Sequence, residues 1–400
     1  MSPRFDSLEE ITVADFYQHI SQENDLLLLD IRSDQDYDLW KIEARFTPET
    51  MHVPYTIFAE DGPYALEQLP ELTAVSPDRD ITVVCGQGDA SDLVAAILRE
   101  EGKTAVNVID GMIAWGNHYV WRPVVEKETV QIYQMDRIAR GCLSYIIISD
   151  GQMAVIDPLR HIDRYQSFLR DGDINLKLLL DTHAHADHIS GGPALAGGTG
   201  VDYYLHPYDA IHPFDMLPAT IDFEMLADGQ QMSMGQLSIE VLHTPGHTLG
   251  QVNFIVSEPG GETYAFTGDN LFIQSFGRPD LGGQGEAWVP IVYDTLFRKF
   301  KGSVTDDAWI LPGHYATFTE ANEDGVYVKR LSDLWSENQG LHFKEEAAFA
   351  DYVLSHLPEM PQQYIEIKRV NIGISQPSEE EASELELGKN VCALSDVYTG

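Results

Sequence analysis

The chain has 400 residues, of which 44% are apolar and 10% aromatic, and its formal net charge is −39. That length suggests two or three domains, each able to bury a substantial core. The charge disfavours nucleic acid, whose phosphates need Lys and Arg, and an anionic membrane surface; no run approaches the ~18 apolar residues of a membrane-crossing helix.

The acid is spread along the chain, with a mild concentration at 377–386. Distributed acid with scarce lysine suggests an acidic, halophilic protein, because a cytoplasm of high ionic strength relieves self-repulsion. Melting temperature is therefore expected to rise with KCl; no gain up to molar salt would remove that reading. The opening Met1-Ser-Pro-Arg-Phe-Asp6 lacks a secretory apolar run, so a cytoplasmic location is expected. Cys85, Cys142 and Cys392 are far apart and form no C-x-x-C pair, which excludes a disulfide framework and a thiolate zinc knuckle within one segment.

Residues 25–31 (D-L-L-L-L-D-I) and 81–85 (I-T-V-V-C) read as strands, the second ending in Cys85-Gly-Gln-Gly-Asp-Ala-Ser91. A helix is expected over 92–101, with Leu93, Ala96 and Ile97 at helical spacing and Gly102 closing it. A further strand at 105–109 precedes Gly111-Met-Ile-Ala-Trp115. Strands alternating with helices argue a small parallel α/β domain. Cys85 stands at a strand end before a glycine loop and a helix N-terminus, a setting that favours thiolate.

On Asp30-Ile-Arg32, Cys85 and Gly111-Met-Ile-Ala-Trp115, this segment resembles a rhodanese-like domain. The resemblance implies that Cys85 carries a persulfide sulfur between donor and acceptor. The arginines common in that family's loop are missing; Gly86, Asp89 and Ala90 stand here instead. A thiosulfate dianion would meet no local cation, so a persulfide is the expected sulfur source; the other reading is a domain that only packs or docks. The expected division is a rhodanese-like domain over 1–122, a linker over 123–128 and a second domain over 129–400 that includes the acidic segment.

From 129 onward strands are expected at 130–135, 144–149, 154–157, 177–180, 201–205, 237–242, 251–256, 263–266 and 309–311. Such runs punctuated by helices suggest two packed sheets with helices outside. Four of the strand ends carry ligand-type residues beside glycine. They are Thr182-His-Ala-His-Ala-Asp-His-Ile-Ser-Gly-Gly192, His243-Thr-Pro-Gly-His247, Thr267-Gly-Asp269 and Pro312-Gly-His314. Imidazoles and carboxylates crowded at strand ends are costly unless a cation binds them.

Together these loops resemble the metallo-β-lactamase superfamily, whose H-x-H-x-D-H motif is here His183, His185, Asp187 and His188. The resemblance covers roughly 130–320 and implies an αββα sandwich with its site at one edge. By carry-over, His183, His185 and His247 line one metal position, Asp187, His188 and His314 the second, and Asp269 lies between. Ser275-Phe-Gly-Arg278-Pro-Asp280 and the stretch from Pro361-Gln-Gln-Tyr364 to Asn371 further resemble persulfide dioxygenases, which handle the same sulfur currency as a rhodanese. That resemblance implies one iron(II) held by His183, His247 and Asp269, acting on a small-molecule thiol persulfide and O₂ to give sulfite and thiol. Two histidines and one carboxylate leave positions open for sulfur and oxygen side by side. Arg278 would anchor the substrate, stabilise an anion or form a salt bridge with Asp280. His185, Asp187, His188 and His314 are conditional, as ligands of a second metal or as groups that orient the first set.

Two other readings stand beside it. Two Zn(II) ions bridging a hydroxide would hydrolyse a thioester, as in a glyoxalase-II-like hydrolase, and a non-catalytic sulfur carrier or sensor would do neither. Cys142 is expected in the core, and Cys392 aligns poorly with a C-terminal cysteine near the substrate in persulfide dioxygenases. Tyr315 adjoins His314. The carrier thiol and the oligomeric state stay open, a homo-oligomer included.

Overall fold

A computed structural model of the chain describes residues 8–22, 24–170 and 174–394. The expectation drawn from Met1–Asp6 lies outside the described residues. The chain divides into two compact units. Among the described residues no helix is long and apolar enough to cross a membrane.

The first unit runs to Tyr119 and includes Arg137–Arg140 and Leu387–Lys389. Its sheet has five strands in the spatial order Glu10–Ile11, Ala105–Val108, Ile81–Val84, Leu27–Asp30 and Glu49–His52, and every pair is parallel. Leu27–Asp30 and Ile81–Val84 are buried throughout, as central parallel strands covered on both faces should be. The helix after Cys85 spans Asp89–Glu100 and starts three residues before its expected position at 92. Its first turn carries Asp89 and Asp92, which suit the positive end of a helix but show no apolar periodicity. Arg32 chelates Asp30 at 2.7 Å and donates to the carbonyl of Trp40, so the Asp-Ile-Arg segment is a buried brace.

The second unit covers 120–136, 141–386 and the residues from 390. It holds a seven-stranded sheet ordered Glu224–Met225, Tyr203–Leu205, Asn175–Leu180, Gln152–Ile156, Cys142–Ser149, Gln131–Arg137 and Tyr119–Glu126. A six-stranded sheet is ordered Gln231–Met234, Leu237–His243, Val252–Ser257, Thr263–Gly268, Trp309–Pro312 and Lys329–Arg330. The inner faces meet through every second residue of their strands: Leu143, Tyr145 and Ile147 on one side, Leu237, Ile239, Val241, Val252, Phe254 and Val256 on the other. That period of two is the geometry of a strand with one face in a core. The outer face of the six-stranded sheet offers Ala265 and Ile310 to Val289, Val292 and Leu296, with Leu331, Leu334, Phe349 and Val353 closing the layer. The result is an α/β fold of stacked sheets with helices outside.

The segment expected as a linker is different. Residues 123–126 lie in the strand Tyr119–Glu126 at the edge of the seven-stranded sheet. Pro123 breaks strand patterning in sequence, yet an edge strand tolerates a residue without an N–H.

Candidate metal centre

Four strand ends converge on one edge of the sandwich. Asn175–Leu180 releases the chain into His183–His188, and Leu237–His243 and Val252–Ser257 bracket the loop with His247. Thr263–Gly268 and Trp309–Pro312 are parallel neighbours with Gly268 opposite Pro312, so Asp269 and His314 emerge side by side. His314 Nδ1 lies 2.5 Å from Asp269 Oδ1, and its Nε2 lies 2.9 Å from Asp187 Oδ2.

His183, His247 and Asp269 form one buried three-donor group. Asp269 Oδ2 is 3.2 Å from His247 Nε2 and 3.9 Å from His183 Nε2. None of these three atoms has a hydrogen bond among the described residues. Buried polar atoms without partners are rare and costly, and three of them facing one point fit a metal ion. Their other atoms are engaged. His247 Nδ1 donates to the carbonyl of Arg278 at 2.9 Å, which leaves an Nε2 lone pair facing inward. His183 Nδ1 meets Thr182 Oγ1 at 2.9 Å, and Asp157 holds that hydroxyl and the Thr182 N–H. Gly277 makes the approach possible, because a Cβ there would lie 2.0 Å from the Asp269 carbonyl oxygen and 2.8 Å from His247 Nδ1.

The conditional residues are tied to one another, and two of their atoms, His185 Nδ1 and His188 Nε2, are also without a hydrogen bond among the described residues. Asp187 accepts from His188, His314 and the Cys142 thiol, whose Sγ is 3.0 Å from Asp187 Oδ2. His185 Nε2 lies 3.2 Å from Asp157 Oδ1. Burial alone would raise Asp187 and Asp269, yet the His314 imidazole, with His188 and His247, holds both well below the usual carboxylate range. Burial would lower His314, but Asp187 and Asp269 push it well above its ordinary value. His183 is pushed well below its ordinary value by burial and then by His185, so it keeps a lone pair.

Several residues to which the sequence assigned no individual role hold this loop. Asn371 donates to the carbonyls of His185 and His188, each at 2.8 Å, and accepts from the Ser190 N–H. Asp209 accepts from the Ala184 N–H, Lys368 donates to the Ala184 carbonyl, and buried Glu386 accepts from Ile189. Glu386 follows the helix Glu379–Leu385, so the acidic segment ends in a clamp on the metal motif. The 361–371 resemblance and the acidic segment mark where some of these partners lie, but not what they bind, since they are ordinary polar residues up to 197 positions away.

Arg278 is fully buried. Its guanidinium chelates Asp280 at 2.7 and 2.9 Å and donates to the carbonyls of Val391 and Pro358. Of its three expected roles the structure shows the salt bridge, and its own carbonyl orients His247. Cys142, expected as core, is buried and also touches Asp187. Cys392 lies against Tyr364, with its sulfur within 4.8 Å of ligand atoms of Asp269 and His314, nearer the centre than its spacing suggested. Burial, with Asp187 and Asp269, pushes its thiol well above the ordinary value. Tyr315 points away, donating to Asp136 and stacking on Tyr327 at 3.8 Å.

In the first unit, Cys85 Sγ accepts from the Gly88 N–H at 3.1 Å and lies 3.2 Å from Ser91 Oγ. Ser91 in turn reaches Asn107 at 2.7 Å. Cys85 is 7% exposed while Cys142 and Cys392 are at 0%. Brief iodoacetamide treatment of the native protein is therefore expected to label Cys85 first; peptide mapping that finds Cys392 labelled first would contradict this burial order.

Residues 137–319 match the metallo-beta-lactamase superfamily and residues 12–118 match the rhodanese-like domain. An uncharacterised protein of Mycobacterium tuberculosis (strain H37Rv) is 31% identical over 190 residues, 42% of this chain and 79% of that protein. The chain belongs to the metallo-β-lactamase superfamily, with a rhodanese-like domain ahead of the metal-bearing one. The hydroxyacylglutathione hydrolase GloC of Haemophilus influenzae is 29% identical over 221 residues, 51% of this chain and 99% of the relative. The mitochondrial persulfide dioxygenase of Mus musculus is 29% identical over 198 residues, 48% of this chain and 69% of the relative. Among solved structures, a metallo-beta-lactamase from Staphylococcus aureus shares the fold at a TM-score of 0.53 and 22% identity, over 63% of this chain and 75% of that one.

Proposed function

We propose that the protein is an iron-dependent persulfide dioxygenase whose rhodanese-like domain transfers sulfur through Cys85. The observation that carries this reading is the asymmetry of the centre. His183, His247 and Asp269 each turn an unpartnered atom to one point, whereas among Asp187, His188 and His314 only His188 keeps one, its Nε2, and every other side-chain donor or acceptor atom is hydrogen-bonded. Two histidines and one carboxylate are the donor set of oxygen-activating iron, leaving positions for a soft sulfur and O₂. The net reaction is RSSH + O₂ + H₂O → RSH + SO₃²⁻ + 2H⁺. The terminal sulfur loses the four electrons that O₂ gains, and the S–S bond breaks with the thiol as leaving group.

The chain's own residues do the positioning. The Arg278 carbonyl holds the His247 proton on Nδ1, Thr182 and Asp157 orient His183, and His314 occupies one oxygen of Asp269 and leaves the other free. Iron(II) bound there would bring persulfide sulfur and oxygen together. The likeness to the mouse persulfide dioxygenase and the preceding rhodanese-like domain support the same sulfur substrate.

A two-zinc thioester hydrolase is the second reading. Its support is the four-donor group Cys142, Asp187, His188 and His314, together with the likeness to the hydroxyacylglutathione hydrolase. One experiment separates the two: metal analysis with turnover measured in air and without it. Iron at one equivalent and persulfide-dependent O₂ uptake are expected; zinc with O₂-independent release of thiol from lactoylglutathione would replace the first reading. Neither turnover would leave a sulfur carrier or sensor. For the first domain, C85S is expected to abolish sulfur transfer from a persulfide to cyanide while O₂ uptake persists; transfer unchanged in C85S would make that domain a packing or docking module.

A further inference from the structure

Beside the centre lies a cavity of about 370 Å³. Its wall is largely apolar, with Ile211, Met216, Leu249 and Trp288, and its polar groups include Asp209 and Lys368. The cavity adjoins the metal motif through Ala184, whose N–H is held by Asp209 and whose carbonyl is held by Lys368, between His183 and His185. Thr248, next to His247, lines it too. The ligand residues do not line the cavity; Thr248 and the Ala184 peptide are what join it to the centre.

The two charged groups differ in what they have left to offer. Asp209 is occupied: Oδ2 accepts from Ala184 and from Thr248 Oγ1 at 2.7 Å, and Oδ1 accepts from the Gly250 N–H at 2.9 Å. Lys368 is 5% exposed, and its hydrogen bond among the described residues is the one to the Ala184 carbonyl at 3.0 Å. An ammonium carries three N–H donors, so two remain in a place with little water. Its neighbour Arg369 is turned onto Asp215 and Glu366. Among the lining residues Lys368 is the sole cation.

We propose, resting on the persulfide reading above, that this cavity selects a carrier thiol with a single carboxylate, which docks on Lys368 while its short carbon chain lies on the apolar wall. A carrier without a carboxylate leaves the buried ammonium short of partners. A carrier with two finds no second cation among the lining residues, and its second carboxylate lies on the apolar surface of Leu249 and Met216 with nothing to pair it. The chain's net charge of −39 adds a repulsive background to a polyanionic carrier. Lys368 is thus a specificity-determining residue.

The test compares three persulfides on the iron-loaded protein: those of 3-sulfanylpropionate (one carboxylate), 2-sulfanylethanol (none) and glutathione (two). The expected kcat/KM for the 3-sulfanylpropionate persulfide exceeds that for the 2-sulfanylethanol persulfide by about tenfold or more, the worth of a charge-assisted hydrogen bond. It also exceeds that for glutathione persulfide. In K368Q the first ratio falls to about one; because both rates come from one preparation, any shared loss of iron cancels. A wild-type ratio near one, glutathione persulfide as the best substrate, or a ratio that survives K368Q each overturns the proposal. If none of the three consumes O₂, the persulfide reading fails, and calorimetric binding of 3-sulfanylpropionate against 2-sulfanylethanol then tests the pocket by itself. Tighter binding of the carboxylate, lost in K368Q, upholds the pocket; equal binding refutes it.

Discussion

H183A, H247A and D269A are each expected to lose the bound iron and to bring O₂ uptake to background. H188A and H314A should keep most of the iron and lose about tenfold to a hundredfold in kcat/KM, the usual cost of removing a group that orients a ligand. The contrast follows from the hydrogen bonds. The first three residues hold atoms that nothing in the described protein satisfies, whereas both ring nitrogens of His314 are spent on Asp187 and Asp269 and His188 is tied to Asp187 through Nδ1, with its Nε2 alone left open. Metal analysis beside an oxygen electrode checks both halves. A drop from two bound ions to one in H188A or H314A would show instead that the second group is a metal position.

R278M is expected to lower stability by about 3 kcal/mol, near the low end for breaking a buried ion pair, because Asp280 is 19% exposed and can recover some hydration. Chemical denaturation of metal-free wild type and variant measures this directly. The substitution also strands the carbonyls of Pro358 and Val391 and loosens the segment whose carbonyl orients His247. Iron affinity should fall with stability. A substrate anchor would behave otherwise, raising KM for the persulfide with the unfolding curve unchanged.

Much of the fold was legible because burial writes a simple pattern. Runs such as Leu27-Leu-Leu-Asp30 and Lys177-Leu-Leu-Leu180 coincide with strands because their side chains enter a core. The ligand loops were legible because histidine and aspartate beside glycine recur at strand ends. Elements at the sheet margins were not: Glu224–Met225 and Lys329–Arg330 are two residues each and half-buried or exposed, so pairing alone defines them. Arg278 illustrates a different limit. Its presence was readable, but whether its guanidinium faced substrate or Asp280 depended on where Pro358 and Val391 fold back. The stretch 361–371 stands out in sequence by resemblance alone, and what Lys368 and Asn371 bind is unreadable until the helix Gln363–Asn371 is seen against Ala184 and His185.

That helix also bears on how the protein is made. The three bonds of Asn371 join the metal motif to a residue that leaves the ribosome 186 positions after His185. While the nascent chain is shorter, the carbonyls of His185 and His188 have no amide to hold them, and Ile189 lacks Glu386. The loop of the metal motif can therefore take all its bonds only once residues 371 and 386 have been made, and a chain cut short of them would carry every ligand residue without the groups that hold that loop.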